Sequence, residues 1–101
     1  MALASLARAD TPPLILNLAG PEELSVRDTC EQLARLLGRT ASFRGQEARD
    51  ALLSNGARGW SLFGPPSVGA AQLIAWTADW VARGGANLDK PTHFESRDGR
   101  F

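Results

Sequence analysis

Asn17-Leu-Ala-Gly-Pro-Glu-Glu-Leu-Ser-Val-Arg-Asp-Thr-Cys-Glu-Gln-Leu-Ala-Arg-Leu-Leu-Gly38 is the stretch on which the reading of this chain turns. A short apolar run, Leu14-Ile15-Leu16-Asn17-Leu18, leads into it and reads as a buried strand. Gly20-Pro21 stops that strand, because proline has no N–H for a ladder and glycine permits the turn. Ser25 reads as a helix N-cap, with Asp28 three residues on as a short-armed capping box. Val26, Cys30, Leu33 and Leu37 then fall at steps of four, three and four, which is one face of a helix. Arg35 and Arg39 lie near its C-terminus, where positive charge suits the dipole, and Gly38 stands where a left-handed residue ends a helix.

Outward from this unit, Ala41-Ser42-Phe43-Arg44 alternates apolar and polar and reads as a half-buried second strand. Strand, helix and strand with short connections predict an α/β fold: a small βαβ unit with two parallel strands and a right-handed crossover, plus two or three packing helices. Ser54-Asn55 offers a cap for a short helix running to about Phe63, ended by Gly64-Pro65-Pro66. Gly56 and Gly59 weaken that helix by about 1 kcal/mol each relative to alanine. Ser67 or Gly69 caps a last helix over about 70–83, ended by Gly84-Gly85. Leu73, Trp76, Thr77, Trp80 and Val81 share one of its faces, and the expectation is that the two tryptophans pack on the βαβ unit. On that packing, Trp80→Ala costs about 3–5 kcal/mol. Residues 1–9 read as helical turns rather than a signal peptide, since a basic start is lacking and Arg8 interrupts the apolar run.

The 101 residues amount to one domain or less, and a 44% hydrophobic content is enough to bury a core. Eleven basic residues balance eleven acidic ones, which gives no pull towards nucleic acid or an anionic membrane. One cysteine excludes an internal disulfide framework, and with one histidine it makes a protein-only metal site improbable. A reducing, cytoplasmic setting is the expectation, and no apolar run approaches the ~20 residues that span a bilayer.

The chemistry on offer is sparse. There is no tyrosine, no Gly-x-Gly-x-x-Gly and no Gly-Lys-Ser/Thr, so no phosphate-cradling loop is visible. Gly56-Ala57-Arg58-Gly59 has the Gly-x-x-Gly form of KH RNA-binding loops, against which the neutral charge argues. Cys30 lies on the apolar helix face as a small core residue. His93 reads as a surface or packing histidine, with a catalytic base as the alternative. The charged loop 44–50 is the best candidate for ligand contact, because ligand sites in α/β folds gather after the C-terminal ends of parallel strands. Arg44 and Arg49 there suit a phosphate or carboxylate. The competing reading is a solvated loop in which Arg49 pairs with Glu47 or Asp50.

Taken together, Asn17-Leu18-Ala19-Gly20-Pro21-Glu22-x-x-Ser25-Val26-Arg27 resembles the C-terminal region of NAD-dependent epimerase/dehydratase proteins, the extended short-chain dehydrogenase/reductases. The order that follows is similar too: the helix ending at Gly38, the strand at 41–44, Leu53-Ser54-Asn55-x-x-Arg58, Leu62-Phe63-Gly64, and a Trp-bearing last helix. The tail Lys90-Pro91-Thr92-His93-Phe94-Glu95-x-Arg97-Asp98-Gly99-x-Phe101 is similar to the end of some bacterial oxidoreductases.

The resemblance implies the C-terminal substrate-binding part of such a fold, with residues 1–85 a partial substrate-binding domain and 86–101 an extended tail. In the family, an N-terminal Rossmann domain carries the Gly-rich cofactor loop and a Tyr-x-x-x-Lys pair, and neither is present here. The implied chain is a fragment or truncated product of an oxidoreductase or epimerase. It holds no catalytic, cofactor-binding or metal-binding residue of its own. NAD or NADP and a small-molecule substrate belong to the full-length parent. The partner is the missing Rossmann domain or a second copy, with no nucleic acid and no membrane. Some members contact a nucleotide diphosphate through an Arg-rich segment after the second strand, and Arg49 within Gln46-Glu47-Ala48-Arg49-Asp50 is its counterpart. The alternatives are a non-enzymatic interaction module and a small complete enzyme built on His93.

Overall fold

In the computed structural model the Ser25 hydroxyl accepts the Asp28 N–H at 3.2 Å, so the helix that organises the chain starts where its cap requires. The structure describes residues 1–91. The expectations on His93, and on all of the tail beyond Pro91, lie outside the described residues. Among the described residues four helices follow in order: α1 (Ala2–Ser5, extended by a single 3₁₀ turn at Leu6–Arg8), α2 (Val26–Leu36), α3 (Ala57–Phe63) and α4 (Ala70–Ala82).

Two helix ends share one termination device. At α2, Gly38 takes φ +63°, its N–H bonds the Arg35 carbonyl, and the Arg39 N–H bonds the Ala34 carbonyl. At α4, Gly84 takes φ +68°, with Gly84 N–H to Val81 and Gly85 N–H to Trp80. Both are Schellman closures, which need a left-handed residue and therefore favour glycine.

The βαβ unit does not form. Among the described residues there is no strand, and neither 14–18 nor 41–44 joins a ladder. The physical reason lies in what a parallel pair needs. Parallel strands are stable when both faces are covered, and an isolated two-stranded sheet is marginal. Leu14 and Leu16 are half-buried, but Ile15 between them is 79% exposed, so one face of that run is left uncovered. The apolar period describes which face a strand would show; it does not supply the neighbouring strand.

Instead, α2 packs against α4. The half-buried residues of α2 include Cys30, Leu33, Ala34 and Leu37, and those of α4 are Ala70, Ile74 and Ala75 beside buried Ala78. Three of the four apolar positions expected on α2 therefore turn inward, while Val26 stays exposed. On α4 the expectation fails. Leu73, Trp76, Trp80 and Val81 are exposed, and the covered positions of the helix are Ala70, Ile74, Ala75 and Ala78. Trp80 lies over Gly85, where a Cβ would overlap the indole, and its Nε1 donates to the Ala86 carbonyl at 3.3 Å. It packs on the end of its own helix rather than across the molecule.

Segment 17–22 ties the elements together with polar contacts. Asn17 Nδ2 donates to the Asn55 carbonyl at 3.3 Å, and Trp60 Nε1 to the Ala19 carbonyl at 2.7 Å. Ala70 N–H, at the start of α4, donates to Glu22 Oε1 at 3.0 Å. Gly56 and Gly59 are both buried and let α3 lie close: an added Cβ would sit 2.7 Å from the Ala19 carbonyl oxygen at Gly56 and 3.0 Å from that of Asn17 at Gly59. Gly59, which weakens α3 locally, and Gly56, which the structure places at the N-cap and outside the helix interior, are thus what seats it.

Candidate functional site

The charged loop after residue 44 begins with Gly45 at φ +84° and runs without regular structure to α3. Arg44 and Arg49 are both exposed, and neither side chain holds an ion pair among the described residues. Glu47 does not pair with Arg49. Its Oε1 takes the Nε–H of Arg27 at 2.6 Å, reaching back to the first turn of α2. The Arg27 guanidinium also lies over the Phe43 ring, 4.3 Å from its centroid.

This Arg27–Phe43–Glu47 cluster is the contact that anchors the loop to the helical body, and local reading of the sequence misses it. Arg27 stands twenty residues from Glu47, and no period links positions so far apart. The signals available are composition alone: one arginine at a helix start, one aromatic at Phe43, and two acids, Glu47 and Asp50, in the short loop that follows. The energetics are those of a surface. An exposed cation–π contact contributes about 0.5–1 kcal/mol and an exposed ion pair about 0–1 kcal/mol. Together they tie the loop to α2, while Arg44 and Arg49 stay exposed and outside any ion pair among the described residues.

What the arrangement can do is bind. Two guanidiniums in water can hold a phosphate or carboxylate through charge-assisted hydrogen bonds. Among the described residues no group of three or more His, Cys, Asp or Glu side chains is placed to hold a metal ion. Cys30 is a free thiol, half-buried on α2. Two open clefts, about 320 and 510 Å³, lie elsewhere, beside α1. Arg8 and Asp10 line both, and Arg58 reaches the second, but neither cleft includes Arg44 or Arg49. The sequence candidates therefore lie apart from these two clefts.

No helix among the described residues is long and apolar enough to cross a membrane. Compared with protein-family models, with curated proteins and with solved structures, the chain matches none.

Proposed function

We infer that this chain is the substrate-binding portion of an NAD(P)-dependent oxidoreductase or epimerase of the extended short-chain dehydrogenase type, without hydride chemistry of its own, in a cytoplasmic setting. The observation that carries the reading is where the resembling residues sit. Asn17, Ala19 and Glu22 belong to one motif block, and they bond Asn55, Trp60 and Ala70 in the blocks that follow it in the family's order. Residues that resemble a family pattern are here the ones that join separate elements. One element of that order, the strand at 41–44, does not form, so the reading stands on these contacts and not on a shared sheet.

Arg44 and Arg49 are the residues assigned to the substrate, as a pair of cations for a phosphate or carboxylate. No dinucleotide is assigned to this chain's own residues. The cation lying on an aromatic ring, Arg27, is already bound to Glu47, and no Gly-rich turn opens any of the helices. No step through the cofactor is assigned to this chain.

The test is an NMR titration of the labelled chain with a nucleoside diphosphate and, separately, with NADH and NADPH. The expected result is a response of the Arg44 and Arg49 Nε–H signals to the diphosphate, lost in Arg49→Gln, and no tight binding of either dinucleotide. Micromolar binding of NADH or NADPH by this chain alone overturns the assignment, as does silence of both arginines to millimolar diphosphate. A second reading, a non-enzymatic interaction module, is favoured by one specific observation: the large apolar side chains of α4 that point away from α2.

A further inference from the structure

The outer face of α4 carries Leu73, Trp76, Trp80 and Val81, each between 49% and 53% exposed. Their positions, with Thr77 between them, follow the i, i+3, i+4, i+7, i+8 spacing of a helix-docking stripe. With half of each side chain open, the stripe presents roughly 400 Å² of apolar surface on one helix, at the upper end of what a monomer tolerates. Tryptophan is also the residue most enriched where binding energy concentrates.

We propose that this face docks on the same face of a second copy, forming a two-fold dimer through antiparallel α4 helices. Three observations point to a second copy rather than a foreign chain. The stripe is self-complementary about a centre between Trp76 and Thr77. There, Leu73 of one copy opposes Trp80 of the other and Trp76 opposes Thr77, a large residue against a smaller one each time, as an isologous contact requires. The charges also permit it. Asp79 is the one ionic residue within α4, it is paired to Arg83 of the same chain, and the chain is neutral overall, so two copies meet without like-charge repulsion. Finally, two stripes supply roughly 800 Å², the size of a weak, concentration-dependent contact between small surfaces. The proposal does not rest on the enzymatic reading, which uses the loop arginines and the start of α4 at Ala70 but not the outer face of that helix.

The experiment is sedimentation equilibrium of the full chain over a concentration series reaching hundreds of micromolar. The expected mass is twice 10.8 kDa at the upper end. Trp76→Gln should weaken the dimer by roughly a hundredfold, because a central substitution is met twice in a two-fold interface. A cross-link keeps the test sharp if that variant folds poorly. In a Cys30→Ser background, Thr77→Cys should oxidise to a covalent dimer, whereas Gln72→Cys, away from the two-fold axis, should not. A mass of 10.8 kDa at every concentration overturns the proposal and leaves the face to a foreign partner. A dimer unaffected by Trp76→Gln, or cross-linked equally well from position 72, overturns it too.

Discussion

Replacing Gly56 with alanine separates the tertiary role of this glycine from its local one. Its backbone, at φ −88° and ψ 1°, is open to any residue, so alanine brings no conformational strain. What alanine brings is a Cβ 2.7 Å from the Ala19 carbonyl oxygen and 3.0 Å from the Trp60 indole. The first neighbour is backbone and cannot swing away. The second is the ring whose N–H holds that same carbonyl. To admit the methyl group, α3 must lift from segment 17–19, which stretches a 2.7 Å hydrogen bond. Overpacking of this kind costs about 1–3 kcal/mol. For a domain of this size that lowers the Tm by roughly 4–20 °C.

Gly59→Ala is the internal control. It lies inside α3, where alanine gains about 1 kcal/mol of helix propensity. Its Cβ would stand 3.0 Å from the Asn17 carbonyl oxygen, a milder approach. Gain and cost nearly cancel, and the expected change is within about 1 kcal/mol of zero. Both variants are read by urea unfolding followed through far-ultraviolet circular dichroism and tryptophan fluorescence, with the Trp60 indole N–H signal reporting the local break. Should Gly56→Ala leave stability unchanged or raise it, with the Trp60 signal unmoved, α3 does not rest on segment 17–19.

Glu22→Ala removes the acceptor at the start of α4 and should cost about 1 kcal/mol, seen as faster amide exchange at Ala70. Trp60→Phe keeps the ring but orphans the Ala19 carbonyl, for a loss of about 1–3 kcal/mol by chemical denaturation. Arg27→Ala releases the loop from α2 while changing stability by under about 1 kcal/mol; mobility of residues 44–50 by backbone relaxation is the sensitive readout. Trp80→Ala should cost only about 1–2 kcal/mol in dilute solution, below the range for a buried tryptophan, because half of the indole is already in water.

The parts legible in the sequence are those decided within one turn of chain. Ser25 caps α2, Gly38 and Gly84 close α2 and α4, and Asn55 Oδ1 accepts the Ala57 N–H at the start of α3, one residue earlier in the chain than the N-cap position itself. Each of these is a short-range preference with one dominant solution. What was not legible depends on distant partners. The apolar run 14–18 satisfies a strand pattern, yet a strand exists only with a neighbour, and residues 41–44 do not become one. The stripe on α4 satisfies a burial pattern, yet α2 meets the opposite side, where Ala75 and Ala78 allow the helices to approach closely. Of the candidate site, the exposure of Arg44 and Arg49 follows from their charged loop, whereas the Arg27–Phe43–Glu47 anchor does not.

The balance of forces here inverts the usual ranking of substitutions. Ala78 is the one buried apolar side chain among the described residues, and the chain exposes 8950 Å². A folded monomer of this mass exposes only about 5,500 Å². Little of the stability therefore comes from a covered core, and the long-range arrangement hangs on Asn17, Ala19 and Glu22 with their partners. Each such tie contributes about 1 kcal/mol, which is a large fraction where the total is small. In the isolated chain, Gly56→Ala and Trp60→Phe should thus outweigh truncation of larger but exposed residues such as Ile15 or Val26. An alanine scan by thermal unfolding in which Ile15→Ala or Val26→Ala cost more than Gly56→Ala would mean that those side chains are covered, and that the helices are held by apolar contacts instead.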